Sequence, residues 1–207
     1  HQHFEKADHF TDDRGLMIAA GHKVEIVDGA PDNIKITTEQ DLKMAEQLLS
    51  SQRKTISAMG FDVHAFGESS KTIKLGGIDI PHNQKLKGHS DADVVLHSIT
   101  DALLGSLNDG DIGTHFPPDD PQWKECDSAV FLKDSQKKLL NKNGLIDFLD
   151  ITIIAEAPKI GPYRDAMQKR ISEILQINAN KISIKATTTE KLGFTGRKDG
   201  RACQVLA

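Results

Sequence analysis

Asp62 and His64 sit two residues apart in the stretch Phe61-Asp62-Val63-His64. Residues at that spacing in a strand point to one face, so a carboxylate oxygen and an imidazole nitrogen can reach one ion. Such donors suit Zn²⁺, which in catalytic sites takes three protein ligands and keeps one position open. His97 is the best third ligand. It interrupts a helical pattern whose apolar positions are Val94, Val95, Ile99, Leu103 and Leu104. Asp93 and Asp101, four residues to either side on the same face, are candidates to accept its other ring N–H. Taken singly, Asp62 and His64 read equally as polar residues on an edge strand, and His97 as a hydrogen-bonded core histidine. Together the three tip toward a metal.

A second cluster is Thr187-Thr188-Thr189-Glu190-Lys191, followed by Leu192-Gly193-Phe194-Thr195-Gly196-Arg197. Hydroxyls, free backbone N–H groups, a Lys and an Arg can cradle phosphate. Glu190 fits there if it holds a cation, since Mg²⁺ is commonly bound by a carboxylate together with diphosphate oxygens. The plain alternative is a solvated turn with β-prone threonines. Residues 155–161 follow an apolar strand, so their backbone could border a planar base with Lys159 near a phosphate. Asp109-Gly110-Asp111-Ile112-Gly113 is a turn signal first and a ribose-binding carboxylate second.

Strands and helices must bring these groups together. Strands are expected at 61–64, at 72–75 and 78–80 as a hairpin on Gly76-Gly77, and at 151–154, 182–186 and 202–206. Helices are expected at 93–107, 128–140 and 162–175, the last with Pro in its first turn. Upstream, Thr11 is a candidate cap for a short helix ended by Gly21. Segments 24–27 and 33–37 look like strands around the turn Asp28-Gly29-Ala30-Pro31. Thr38 and Asp41 resemble a capping box that opens a helix. Residues 50–55 look like a linker, dividing the chain into 1–55 and 56–207. The fold class is α+β, a mixed sheet packed with helices.

Asp plus Glu outnumber Lys plus Arg by 30 to 26 with no basic run, which speaks against a nucleic-acid surface. No apolar run approaches the ~20 residues of a bilayer span, and no signal peptide is legible at the N-terminus. Cys126 and Cys203 are too few for a disulfide framework, so a reducing, cytoplasmic setting is expected. The chain starts at His1 rather than Met, which leads one to expect an upstream segment.

The motifs Gly60-Phe61-Asp62-Val63-His64-Ala65-Phe66-Gly67, Gly88-His89-Ser90-Asp91-Ala92-Asp93-Val94-Val95-Leu96-His97, Gly110-Asp111-Ile112-Gly113, and Ala186 through Gly196 occur in that order. Together they resemble the 2-C-methyl-D-erythritol 2,4-cyclodiphosphate synthase family over about residues 59–207. The resemblance implies that family's fold, a homotrimer with active sites between subunits, and no membrane or nucleic-acid partner. It implies Zn²⁺ or another divalent metal on Asp62, His64 and His97. Mg²⁺ or Mn²⁺ would sit on Glu190 with the substrate diphosphate. His89 and Thr188 would stabilise the transition state, with Ser90, Thr187 and Thr189 beside them. Asp111 and Gly113 would bind ribose. Residues 155–161 would bind cytosine, including Ala155, Pro158, Lys159, Ile160 and Gly161. Phe116, Phe194 and Arg197 would bind the methylerythritol phosphate end. Two departures stand out. Ile56-Ser57-Ala58 replaces the Arg-x-Gly of many members, and Pro118 stands where some carry Asp, leaving Asp120 available in that loop.

The first 55 residues resemble something else. Thr11-Asp12-Asp13, Gly21-His22 and Asp32-Asn33-Ile34-Lys35-Ile36-Thr37 are similar to the C-terminal end of the 2-C-methyl-D-erythritol 4-phosphate cytidylyltransferase family. Thr11 and Lys35 match substrate-site positions there, but that family's Gly-rich nucleotide loop is absent. A bifunctional parent enzyme is the expectation. The activity implied for 56–207 is release of CMP from a cytidine-diphosphate-linked substrate, with closure of a cyclic diphosphate. The rivals are a zinc phosphohydrolase and a non-catalytic isoprenoid-phosphate or nucleotide-binding module.

Overall fold

The computed structural model describes residues 13–25, 27–30, 33–51 and 54–207. It divides into two compact units, His1–Lys54 and Thr55–Ala207.

In the first unit, helix α1 (Asp13–Ala19) ends at Gly21, whose φ of +83° lets His22 N–H return to the Met17 carbonyl at 3.0 Å. Thr11, the expected cap, lies outside the described residues. Helix α2 (Glu39–Ser51) opens as expected. Asp41 N–H donates to the Thr38 hydroxyl at 3.2 Å, and the Asp41 carboxylate accepts from Thr38 N–H at 2.8 Å. Those bonds from Thr37 and Thr38 lower the Asp41 carboxyl to about 2.

The strands expected at 24–27 and 33–37 do not form among the described residues. Val24, Val27 and Ile36 are exposed, and an extended segment without a neighbouring strand has nowhere to place its backbone hydrogen bonds. Ile26, Pro31 and Asp32 lie outside the described residues. The linker expected at 50–55 is corrected as well, because α2 runs through Ser51.

The second unit is built on a five-stranded mixed sheet of order β4-β1-β7-β5-β6. Its strands are β1 (Met59–Ser69), β4 (Gln84–Leu86), β5 (Leu149–Ile154), β6 (Ile182–Thr187) and β7 (Gly200–Leu206). Strands β2 (Thr72–Leu75) and β3 (Ile78–Pro81) form the expected separate hairpin. Its turn glycines have φ of +61° and +76°, which the tight two-residue loop requires. Helix α3 (Val94–Ser106) packs on β1 and β7, α5 (Ala129–Asn141) on α3, and α6 (Arg164–Leu175) on β6. Short helices α4 (Ile112–His115) and α7 (Gly193–Gly196) shape two loops. From Val94 to Leu104 only Asp101 of α3 escapes burial, so this helix belongs to the core rather than the surface.

Two features of the sheet position the site. A Cβ on Gly60 would stand 1.9 Å from the Ser98 carbonyl oxygen, so β1 and α3 approach backbone to backbone. Pairing also aligns Val63 with Ala202, Ala202 with Ile154, and Ile154 with Thr187. This row crosses the sheet at the middle of β1 and at the C-terminal ends of β5 and β6. On the opposite face from α3, Met59, Phe61, Val63 and Leu206 stay exposed.

Candidate active site and metal centre

Asp62 and His64 share one face of β1, and α3 brings His97 against them. The three donor atoms form a near-equilateral triangle. Asp62 Oδ2 lies 3.0 Å from His64 Nε2 and 3.0 Å from His97 Nδ1, and the two nitrogens are 3.1 Å apart. Tetrahedral ligands bonded to zinc at ~2.0–2.1 Å stand roughly 3.3 Å from one another, so the cluster fits a small divalent ion. It is the metal-competent group of three or more such side chains among the described residues. His64 Nδ1–H donates to the Lys87 carbonyl at 2.9 Å, which would leave the Nε2 lone pair to a bound ion.

Burial alone would raise the Asp62 carboxyl, but hydrogen bonds from His64 and His97, and their charge, hold it well below the usual range. For His64, burial is outweighed by the bond and charge of Asp62 and by the Lys87 carbonyl, so its pKa rises above 6.5. The signs set a window for the metal-free protein. The raised His64 value contributes stability below pH 6.5 that is lost as pH climbs through it. The lowered Asp62 value contributes above pH 3.8 and is lost on acidification. Thermal melts of the metal-free chain should therefore show both contributions together between those limits. Apparent metal affinity should rise by about tenfold per pH unit until His64 is deprotonated, because its proton must leave. A flat affinity from pH 5.5 to 7.5 in chelator competition would contradict this.

Neither expected partner orients His97. Asp93 caps α3, accepting from Val95 N–H at 3.0 Å and Leu96 N–H at 3.1 Å. It also holds the β2–β3 turn through Gly76 N–H at 2.9 Å and Gly77 N–H at 2.6 Å. Asp101 accepts from Ile112 N–H at 2.8 Å. The outer nitrogen of His97 instead meets the hydroxyls of Ser128 at 2.8 Å and Ser90 at 3.1 Å. Ser128 was legible only as the start of a helix.

His89 Nε2–H donates to the Asp120 carbonyl at 3.2 Å, and Glu125 N–H to the His89 carbonyl at 2.8 Å, tying the 89–91 loop to 120–126. The Asp120 carboxylate caps the turn Pro121–Trp123. Phe116 packs edge-on against Trp123 and near Phe131, with centroids at 5.1 and 4.4 Å. Asp111 caps α4, which contains Gly113. Bonds from Thr114 lower the Asp111 carboxyl.

The threonine-rich turn lies elsewhere on the sheet. Glu190 and Lys191 have φ of +52° and +64°, and the Thr188 hydroxyl donates to Glu190 Oε1 at 3.0 Å. Thr189 and Thr195 hydroxyls meet at 2.8 Å, and a Cβ on Gly196 would lie 2.1 Å from the Lys191 carbonyl carbon, so the turn is closely folded. Thr188, Glu190, Phe194 and Arg197 are exposed. Glu156, inside the segment expected to bind cytosine but given no role of its own there, accepts from Thr189 N–H and Lys191 N–H, each at 3.2 Å. Ala155 N–H donates to the Thr187 carbonyl at 3.0 Å. Residues 155–161 and 187–191 are thus joined. Arg201, without a sequence signal, is fully buried and donates to the Ala157 carbonyl, its guanidinium 5.1 Å from the Phe66 ring centre. Burial pushes it down to about 10.

One chain therefore gathers Asp62, His64, His97 and Ser90 at one edge of the sheet. It gathers residues 155–161 with Thr187, Thr188, Thr189 and Glu190 at the other. The row Val63, Ala202, Ile154, Thr187 spans three strand spacings, about 14 Å. Lys35 is exposed in the first unit, and Thr11 lies outside the described residues.

Comparison with known proteins follows this division. Residues 56–207 match the model of the YgbB family, and residues 1–51 match that of 2-C-methyl-D-erythritol 4-phosphate cytidylyltransferase. A Rhodospirillum rubrum protein named bifunctional enzyme IspD/IspF is 52% identical over 197 residues, which cover 95% of this chain and 51% of that one. The chain spans about half the length of the curated relatives it matches. A Plasmodium falciparum IspF structure in complex with CDP is 38% identical. It has a TM-score of 0.64 and covers 73% of this chain and 92% of its own. A CDP-bound 2C-methyl-D-erythritol-2,4-cyclodiphosphate synthase is 28% identical, with a TM-score of 0.66, covering 72% and 97%. The match takes in the whole sheet, the donor triangle and both loops, and the chain belongs to the YgbB family, as the order of its motifs led one to expect.

Proposed function

We propose that residues 56–207 convert 4-diphosphocytidyl-2-C-methyl-D-erythritol 2-phosphate to 2-C-methyl-D-erythritol 2,4-cyclodiphosphate and CMP. The observation that carries this reading is the triangle of Asp62, His64 and His97, with Ser90 at 3.1 Å from His97, in a family whose solved members include CDP complexes. An oxygen of the 2-phosphate attacks the β-phosphorus, the bond from that phosphorus to the α-phosphate bridging oxygen breaks, and CMP leaves. Zn²⁺ on the triangle and Mg²⁺ or Mn²⁺ on Glu190 would supply Lewis acidity and neutralise charge on the diphosphate. No side-chain nucleophile is needed, because positioning and electrostatics dominate phosphoryl transfer.

The protein groups do the holding. His89 and Thr188 donate to oxygens that gain charge, with Thr187, Thr189 and Ser90 fixing the phosphates. Backbone groups of 155–161 read the cytosine, Lys159 meets a phosphate, and Asp111 and Gly113 hold the ribose. Phe116, Asp120, Phe194 and Arg197 enclose the methylerythritol phosphate end. Orienting both ends of one flexible molecule can contribute ~7–11 kcal/mol.

The site belongs to a homotrimer, completed between copies. The two clusters of one chain lie on strands separated by three strand spacings, about 14 Å at the backbone, which supports this reading. The exposed apolar row of Met59, Phe61, Val63 and Leu206 supports it too, as a face of the kind that oligomers cover. Residues 1–55 form the C-terminal part of a cytidylyltransferase domain in a bifunctional, cytoplasmic parent, with Thr11 and Lys35 in that domain's site. No helix among the described residues is long and apolar enough to cross a membrane.

Phosphorus NMR of the product tests the chemistry. A cyclic diphosphate with stoichiometric CMP is expected. A linear phosphate would favour the hydrolase rival, and binding without turnover the non-catalytic one. Glu190→Gln should raise the Mg²⁺ or Mn²⁺ concentration needed for half-maximal rate by tenfold or more. Metal analysis should find its zinc content unchanged.

A further inference from the structure

The start of α5 contains a serine whose hydroxyl does not do what its position suggests. Ser128 occupies the N-cap of α5, where a serine side chain ordinarily accepts from the first free N–H groups. It makes no such bond, because its backbone is already helical at φ −61°, ψ −15°, and Asp127 Oδ1 takes Ala129 N–H at 2.8 Å instead. The freed hydroxyl is fully buried and sits 2.8 Å from His97 Nε2. Behind it lies Asp91. One Asp91 oxygen accepts from the Ser128 hydroxyl, and the other accepts from Ser128 N–H at 3.2 Å. Asp91 is in turn fixed by its own N–H on the Cys126 carbonyl at 3.0 Å.

Donor and acceptor roles in this chain follow from its outer end. Asp91 accepts on both oxygens, from Ser128 N–H at one and Asp93 N–H at the other, so Ser128 O–H donates to it. The Ser128 oxygen is then left to accept from His97 Nε2–H. In the metal-bound form that would keep the ring proton on Nε2 and leave the Nδ1 lone pair free for the ion beside Asp62 and His64, 3.0 and 3.1 Å away. Ser90 reaches the same nitrogen from farther out, at 3.1 Å, while accepting from Ala92 N–H.

We propose that Ser128 and Asp91 are positioning residues that set the tautomer and orientation of the metal ligand His97. The proposal rests on the metal reading of the Asp62, His64 and His97 cluster. Partners of this kind typically change metal affinity by 10–100-fold.

The test uses the whole chain in three forms, wild type, Ser128→Ala and Asp91→Asn. Zinc affinity is measured by chelator competition, the metal-free melting temperature by circular dichroism, and the visible absorption bands after loading with Co²⁺. Ser128→Ala should bind zinc 10–100-fold more weakly and shift the cobalt bands, with a metal-free melt close to wild type. Asp91→Asn should move affinity and bands in the same direction, and decides the matter should Ser128→Ala not fold. Wild-type affinity and bands in either folded variant overturn the proposal. So does a weakening matched by an equal collapse of the metal-free melt with unchanged cobalt bands. Absence of zinc binding by the wild-type chain would instead refute the metal reading beneath it.

Discussion

His97→Ala is expected to reduce kcat/KM for cyclisation by at least 10³-fold, about 4 kcal/mol of transition-state stabilisation. Zinc content should fall below a tenth of the wild-type level. The size of the effect follows from the triangle. His97 Nδ1 lies about equally far from Asp62 Oδ2 and His64 Nε2, at 3.0 and 3.1 Å, so its removal leaves two donors where a catalytic zinc needs three. Asp62 also loses one of the two imidazoles that hold its carboxyl in the charged form. The fold should survive. The ring sits at the edge of the core, while Val95, Leu96, Ile99 and Leu103 still anchor α3. Circular dichroism, metal analysis and turnover on one sample decide it, and full turnover with wild-type zinc content would sink the assignment.

Gly60→Ala should be the most damaging single-methyl addition in the second unit. Its Cβ would fall 1.9 Å from the Ser98 carbonyl oxygen and 2.7 Å from Ala102 N, both part of the α3 backbone. A flexible side chain could yield, but two backbones cannot without sliding the helix off the strand. A cost of ~3 kcal/mol or more is expected, at or beyond the upper end for overpacking. Because β1 carries Asp62 and His64 while α3 carries His97, the same slide pulls the donors apart. Chemical denaturation and zinc affinity should therefore fail together. Wild-type values for both would show that the approach of β1 and α3 is not what assembles the cluster.

These two cases also mark what could be read from residue order. Asp62 and His64 were legible because a period of two needs only a strand, and the Gly76-Gly77 turn because few residue pairs tolerate two positive φ angles. Thr38 and Asp41 announced a helix start by local bonds alone. Asp93 misled because four-residue spacing suggests contact with His97. At a helix start, however, a carboxylate turns back to the free N–H groups, and here it also collects those of Gly76 and Gly77. Ser128 is 31 residues from His97, and its bond depends on how α5 lies against α3, which no local pattern specifies. Glu156 and Arg201 were missed for the same reason, since each acts on a loop distant in sequence. The strands expected at 24–27 and 33–37 failed differently. Residue type gave them β propensity, but a strand exists only beside another.

Glu156 has a mechanical consequence. A single carboxylate oxygen grips Thr189 N–H and Lys191 N–H, while Ala155 N–H, one residue back, is bonded to Thr187. The segments at 155–161 and 187–191 cannot breathe separately; lifting either one strains the other. Whatever settles on one segment also stills its neighbour, and the entropy of quieting the pair is lost once rather than twice.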